Sequence, residues 1–158
     1  MGTEYDDEGL NEGIARPTEE LVVGLVGAVG AGVSRAAIAL RDKLHEEYGY
    51  EVQIIKASDI IRDNAAKTSK SSPASIGAAR VKDLQAVGTE LRNRFGEDYV
   101  AAKAIETIAI RRSAGGGYDE SRKVPQPKRL RQATIIDSLK HPRETELLRR
   151  VYDGMYWQ

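Results

Sequence analysis

Cysteine is absent from this 158-residue chain, and histidine occurs only twice, at His45 and His141. Without thiols the chain can form neither a disulfide framework nor a zinc site with thiolate ligands. The two histidines are far apart in sequence, which argues against a metal site built from imidazoles. Long apolar runs are also missing, and the start is acidic rather than basic and then apolar, so we expect a cytoplasmic protein without a membrane span or signal peptide.

Neither sign of charge is in excess, because 24 Lys and Arg residues balance 24 Asp and Glu residues. The overall charge therefore indicates no nucleic-acid or membrane partner. A short basic run around Lys128 lacks interleaved aromatic residues, so we do not expect nucleic acid to be a partner.

The length of the chain favours one folded domain preceded by a tail. Residues 1–18 are polar and acidic and are predicted to be disordered. Residues 19–158 are predicted to form the domain. Within it, residues 113–132 combine glycine, proline and charge without a period, which is typical of a flexible lid or linker, and residues 64–76 are predicted to be a second flexible loop.

Strands and helices alternate in the predicted domain. Short apolar runs predict buried strands at 21–26, 50–57 and 133–137. A helix is predicted from 34 to 48, with an apolar stripe of Ala36, Leu40, Leu44 and Tyr48. A short helix capped by Ser58 and Asp59 is predicted to follow the second strand. Three further helices are predicted around 81–95, from residue 98 onward, and from Pro142 onward. This alternation predicts an α/β fold with a parallel sheet. Residues 155–158 resemble the start of a fourth strand, so we expect a chain truncated before its last strands.

The segment from Gly27 to Ser34 follows the first strand and precedes the first helix, as in the phosphate-binding pattern GxxxxGK[ST]. Its glycines permit a tight turn that aims consecutive amides at one point at the helix N-terminus, where an anion is stabilised. The alternative is a glycine turn without a ligand. The predicted phosphate-binding residues are Gly27, Ala28, Val29, Gly30, Ala31, Gly32, Val33, Ser34 and Arg35.

Val33 stands where this pattern requires a lysine. The missing ammonium would neutralise phosphate charge during phosphoryl transfer, and loss of one such group typically costs about 10²–10³ in rate. Backbone amides can still hold a phosphate. Arg35 is a poor replacement, since the next helical position points about 100° away. The sequence therefore predicts binding without efficient transfer.

Other residues fit a phosphate site, each with a plainer alternative. Arg62 could hold a phosphate by a bidentate contact or be a solvated helix arginine. Asp137 ends the third strand and could bind Mg²⁺ together with Ser34, or cap a turn. Arg111 and Arg112 could be lid arginines or could cap a helix C-terminus.

Two segments resemble deoxynucleoside monophosphate kinases and their relatives. "KDLQAVGTELRNRFGEDYVAAKAI" is similar to their LQ-x-x-GT-x-x-R segment, and "IIDSLKHPRETELLRRVY" to their strand-Asp…Pro-x-E segment. Together with "GLVGAVGAGVSR" and "YGYEVQIIKASDIIRD", the chain more closely resembles the N-terminal P-loop kinase-like domain of the bacterial anti-phage dCTP deaminases.

This resemblance implies a three-layer P-loop fold and a regulatory, deoxynucleotide-binding role beside a zinc-dependent deaminase that depletes dCTP during phage infection. A zinc deaminase needs both H-x-E and P-C-x-x-C, and the second motif requires cysteines that are absent here, so we expect zinc and deamination only in an attached or partner deaminase domain that this chain lacks. Mg²⁺ is expected with the nucleotide, and a homo-oligomer is expected. The alternatives are an active deoxynucleoside monophosphate kinase and an oligomerisation domain with a relic loop.

Overall fold

A computed structural model describes residues 19–69, 77–115, 118–119, 121, 126–127 and 130–158. The tail predicted at 1–18 lies outside these residues, and so do 70–76 and much of the segment predicted as a lid. Residues 64–69, predicted as part of a loop, include a turn of 3₁₀-helix at Ala65–Lys67.

Strands and helices alternate along the described chain. The strands are β1 (Leu21–Val26), β2 (Glu51–Lys56), β3 (Tyr118–Asp119), β4 (Gln126–Pro127), β5 (Gln132–Leu139) and β6 (Tyr156–Trp157). The helices are α1 (Val33–Tyr48), α2 (Ala57–Asp63), α3 (Gly77–Phe95), α4 (Tyr99–Ala114) and α5 (Pro142–Tyr152), and a second 3₁₀ turn is Asp153–Met155.

Four strands form one parallel sheet in the order β2-β5-β1-β6. Parallel strands place all their carboxyl ends at one edge, here called the carboxyl edge, and their starts at the opposite, amino edge. The α/β class and the three-layer, P-loop-like arrangement are confirmed. The predicted fourth strand is present as β6, which pairs with β1.

Helices cover the two faces of the sheet unequally. Helices α2, α3, α4 and α5 enclose the main core, whose strand residues include Val22, Ile136 and Leu139. Helix α1 packs against β1, β2 and β5, and Ala37 and Ile135 are fully buried outside that main cluster. Helix α1 thus forms the third layer.

The predicted apolar stripe of α1 was wrong. Ala36 and Tyr48 are exposed, while Leu40 and Leu44 are half-buried, and Ala37 is the buried residue of the helix. Apolar residues that recur every four positions do not identify the buried face of a helix when alanines lie on several of its faces.

Helix boundaries were predicted better than caps. Pro142 occupies the first turn of α5, as predicted, but His141 and Glu144 form a capping box that the sequence analysis missed. Helix α2 begins at Ala57 after Lys56, and neither Ser58 nor Asp59 is its N-cap. The predicted helix is present, but its predicted caps are not.

Strand β5 contains one extra residue opposite β1. Gly24 is paired with Ile136, whereas Val26 is paired with Leu139, so the register shifts by one residue between these pairs. Ser138 has a positive φ of 71° at this bulge. The bulge lies directly after Asp137 and bends the end of β5 towards the loop that follows β1.

Parts of the segment predicted as a lid, 113–132, are regular. Helix α4 continues to Ala114, β5 begins at Gln132, and β3 pairs with β4 as an antiparallel ribbon. The segment thus includes regular structure at both ends and in this ribbon, and its role as a lid or linker stays a prediction.

Candidate functional site

The glycine-rich loop from Gly27 to Gly32 lies at the carboxyl edge of the sheet between β1 and α1. Gly30 and Gly32 have φ angles of 84° and 81°, in the left-handed region that glycine adopts at little cost. The amide of Ala31 donates to the carbonyl of Ala28 at 3.1 Å, which closes a tight turn. The predicted strand–turn–helix context of the phosphate-binding pattern is therefore present.

Backbone amides at the start of α1 are left without a backbone acceptor within the described residues. The carbonyl of Gly32 accepts from the amides of Arg35 and Ala36, both at 3.0 Å, as the helix begins. Within the described residues, the amides of Gly32, Val33 and Ser34 make no backbone hydrogen bond. Unpaired amides at the positive end of a helix favour an anion.

Ser34 and Asp137 meet beneath this loop, although 103 positions separate them in the sequence. The Ser34 hydroxyl donates to Oδ2 of Asp137 at 2.7 Å. The Ser138 hydroxyl donates to Oδ1 of the same carboxylate at 2.8 Å, and Asp137 is only 2% exposed. The structure therefore brings together the two residues that the sequence analysis predicted to bind Mg²⁺.

Val33 packs back against the start of the loop. A Cβ added to Gly27 would lie 2.5 Å from Cγ2 of Val33, so only glycine fits beside this valine. Gly27 and Val33 are half-buried, whereas Ala28, Val29, Gly30, Ala31, Gly32, Ser34 and Arg35 are exposed. The branched side chain thus occupies the base of the loop and leaves its rim open.

A lysine that the sequence analysis did not single out reaches the loop. The ammonium of Lys140, after the end of β5, donates a hydrogen bond to the carbonyl oxygen of Gly27. Its position three residues after Asp137, in the segment "IDSLKHP", was the available signal. The bulge at Ser138, which brings Lys140 beside the loop, is not visible as a sequence pattern.

Glu144 anchors the backbone around Lys140. This fully buried carboxylate accepts from the amides of Lys140 at 2.9 Å and His141 at 3.1 Å. Its other oxygen accepts two hydrogen bonds from Arg92 of α3, at 2.8 and 2.6 Å. The two segments that carry the family resemblance therefore meet in this ion pair.

Arg62 lies on α2, which starts directly after the carboxyl end of β2. Its guanidinium pairs with Asp59 of the same helix at 2.5 Å and remains about half exposed. The structure thus places the helix that carries Arg62 at the carboxyl edge, but the Arg62 guanidinium pairs with Asp59 of the same helix and not with the glycine-rich loop.

Arg111 and Arg112 are placed at the amino edge of the sheet. Arg111 pairs at 3.0 Å with Glu51, the first residue of β2, and Arg112 pairs at 2.5 Å with Glu20, just before β1. Because the glycine-rich loop lies at the carboxyl edge, the structure does not bring these arginines to it. In the described arrangement they pair with Glu51 and Glu20, and their role as phosphate-binding lid residues stays a prediction.

No protein-family model matches this chain, and neither a curated protein nor a solved structure matches it significantly. None of the helices in the described ranges is long and apolar enough to cross a membrane.

Proposed function

We propose that the chain is a regulatory domain that binds a nucleoside triphosphate at the loop from Gly27 to Ser34. The hydrogen bond between Ser34 and Asp137 is the observation that carries this proposal. A glycine turn without a ligand gives no reason to bury a carboxylate under the first helical turn, whereas a magnesium–phosphate site does.

The donor set is suited to Mg²⁺ rather than to a metal held by protein alone. In the described part of the chain, no cluster of three or more His, Asp or Glu side chains could hold a metal ion. Mg²⁺ commonly keeps several waters and uses one or two carboxylates together with phosphate oxygens. Ser34 and Asp137 would hold it beside the phosphates, and the bound ion would neutralise their charge.

A regulatory role is favoured over catalysis because Val33 replaces the lysine of the phosphate-binding pattern. The loop amides and Mg²⁺ support binding, while a side chain that stabilises transfer is missing from the expected position. The resemblance to anti-phage dCTP deaminases supplies the partner in this proposal: an attached or separate deaminase domain whose activity follows the deoxynucleotide bound here.

Isothermal titration of the purified chain with dCTP, dATP, dGTP and dTTP tests the proposal. We expect saturable binding that strengthens with Mg²⁺ and weakens in EDTA. A chain that gives no saturable binding with any of the four would overturn the proposed function and favour an oligomerisation domain with a relic loop.

A second measurement separates binding from catalysis. The chain is incubated with ATP, Mg²⁺ and each deoxynucleoside monophosphate, and product is followed by chromatography. We expect no turnover above about 10⁻² of a typical kinase rate of 1–100 s⁻¹. Turnover at ordinary kinase rates would establish the kinase alternative instead.

A further inference from the structure

We propose that Lys140 supplies, from the loop after β5, the phosphate-binding ammonium that the glycine-rich loop itself lacks at Val33. This inference rests on the proposed function and extends it. The ligand class is a nucleoside polyphosphate, whose phosphate chain would lie between the loop amides and the Lys140 ammonium.

Lys140 and Val33 converge on the same residue. The Lys140 ammonium contacts the carbonyl oxygen of Gly27, and Cγ2 of Val33 packs against the α-carbon side of Gly27. The side chain at position 33 and the Lys140 ammonium therefore both contact the first residue of the loop. The positive charge of Lys140 is thus far from position 33 in sequence, but it lies at the same end of the loop as the Val33 side chain.

Sheet pairing explains how Lys140 gets there. Leu139 is paired with Val26 across the register shift, so the next residue of each strand, Lys140 and Gly27, emerge side by side at the carboxyl edge. In a regular ladder without the bulge, Val26 would pair with Ser138, and Leu139 rather than Lys140 would stand beside Gly27. Lys140 is thus positioned beside the loop by β5, the strand next to β1.

The backbone of Lys140 is fixed while its ammonium remains exposed. The fully buried Glu144 carboxylate, itself held by Arg92, accepts a hydrogen bond from the Lys140 amide. An ammonium has three N–H donors, and the bond to Gly27 uses one of them. Two donors remain for phosphate oxygens, which suits a group that closes the loop and binds an anion.

A purely structural role for Lys140 gives a different expectation. If the lysine only ties β5 to the loop, its loss should lower the stability of the fold, and a lysine placed at position 33 should not compensate. If it binds phosphate, its loss should lower affinity for any polyphosphate, and a lysine at position 33 should restore it.

The test uses isothermal titration of the full chain with the four dNTPs and with inorganic tripolyphosphate at fixed ionic strength. The variants are Lys140→Met, Lys140→Arg and the double variant Val33→Lys/Lys140→Met. Lys43→Met is the matched control, because Lys43 is an exposed lysine of α1 that pairs with Glu47 away from the loop. Circular dichroism and thermal unfolding establish that each variant is folded.

We expect Lys140→Met to weaken binding of the preferred dNTP and of tripolyphosphate by about 10- to 100-fold, the worth of a charged hydrogen bond. Lys140→Arg should retain most of the affinity, the double variant should recover it, and Lys43→Met should bind like the unaltered chain.

Two results would overturn the inference in distinguishable ways. Unaltered affinity in a folded Lys140→Met variant removes the role of Lys140 but leaves the nucleotide site intact. Absence of binding by the unaltered chain removes the proposed function and the role of Lys140 with it. If Lys140→Met does not fold, Lys140→Arg and Lys140→Gln decide: equal affinity of the two folded variants contradicts a role for the charge.

Discussion

The Ser34 hydroxyl donates to the Asp137 carboxylate at 2.7 Å, joining the first turn of α1 to the end of β5. These residues come from opposite ends of the domain sequence, and the central position of β5 beside β1 brings them together. The carboxylate is buried and accepts a second hydroxyl from Ser138. It is therefore already oriented before any ligand arrives.

Asp137→Asn should abolish the effect of Mg²⁺ on nucleotide binding. The amide keeps the shape of the side chain and can accept from Ser34, but it removes the negative charge that attracts the ion. Titrations with and without Mg²⁺ check this, with Asp153→Asn as the control, since Asp153 lies beyond α5 at the amino edge. An undiminished Mg²⁺ effect in Asp137→Asn would remove Asp137 from the site.

Gly32→Asp should abolish nucleotide binding, whereas Gly32→Asn should not. Both side chains enter open space at a φ of 81°, a conformation that costs most non-glycine residues about 1–2 kcal/mol and that Asn and Asp tolerate best. Only Asp adds a negative charge where phosphate is proposed to lie. Equal affinities of the two variants, measured by titration, would mean that the phosphates lie elsewhere.

Arg92→Met should lower the free energy of unfolding by about 3–5 kcal/mol, because it leaves the buried Glu144 carboxylate without its ion-pair partner. Urea denaturation measures the change. Arg143→Met is the matched control on the exposed side of α5, where Arg143 pairs with Glu146 in solvent, and it should change stability little. Similar decreases in the free energy of unfolding in both variants would contradict the prediction that the buried ion pair contributes more to stability than the exposed one.

Tyr156→Phe should reduce the loss of stability at alkaline pH. Burial raises the pKa of the Tyr156 hydroxyl above its ordinary value of 10.0. Below pH 10 the hydroxyl is neutral in folded and unfolded chains alike. Above it the unfolded chain ionises first, so the free energy of unfolding falls as the pH rises through the folded pKa.

The difference between the unaltered chain and Tyr156→Phe isolates this effect from the other titrating groups. Urea denaturation at several pH values between about 8 and 11 measures it, and the unaltered chain should lose more stability than the variant above pH 10. Parallel pH profiles would show that ionisation of Tyr156 is not coupled to unfolding.

The order of strands and helices could be predicted from the sequence because short apolar runs and glycine turns are local signals. The run at 21–26, the glycines after it and Pro142 each specify structure within a few residues. Ser34 and Asp137 could each be predicted as magnesium ligands from their positions near the carboxyl ends of strands, although the hydrogen bond between them was not predicted.

The remaining features depend on contacts distant in sequence. Arg111 and Arg112 end a helix whose direction along the sheet decides which edge they reach, and the sequence does not state that direction. The position of Lys140 depends on a bulge in the pairing of β5 with β1, which are more than 100 residues apart in sequence. The burial of Glu144 depends on Arg92 from another helix.

The single extra residue in β5 has a consequence for odd and even positions along the strand. In a regular strand Asp137 and Leu139 would point to the same side. Here Asp137 meets Ser34 of α1, while Leu139 joins the core formed with α2–α5. If β5 kept Ser138 but formed a regular ladder without the bulge, Asp137 and Leu139 would share one side, so either the carboxylate or the leucine would turn to the wrong side. The strand could then satisfy its hydrophobic core or its polar edge, but not both.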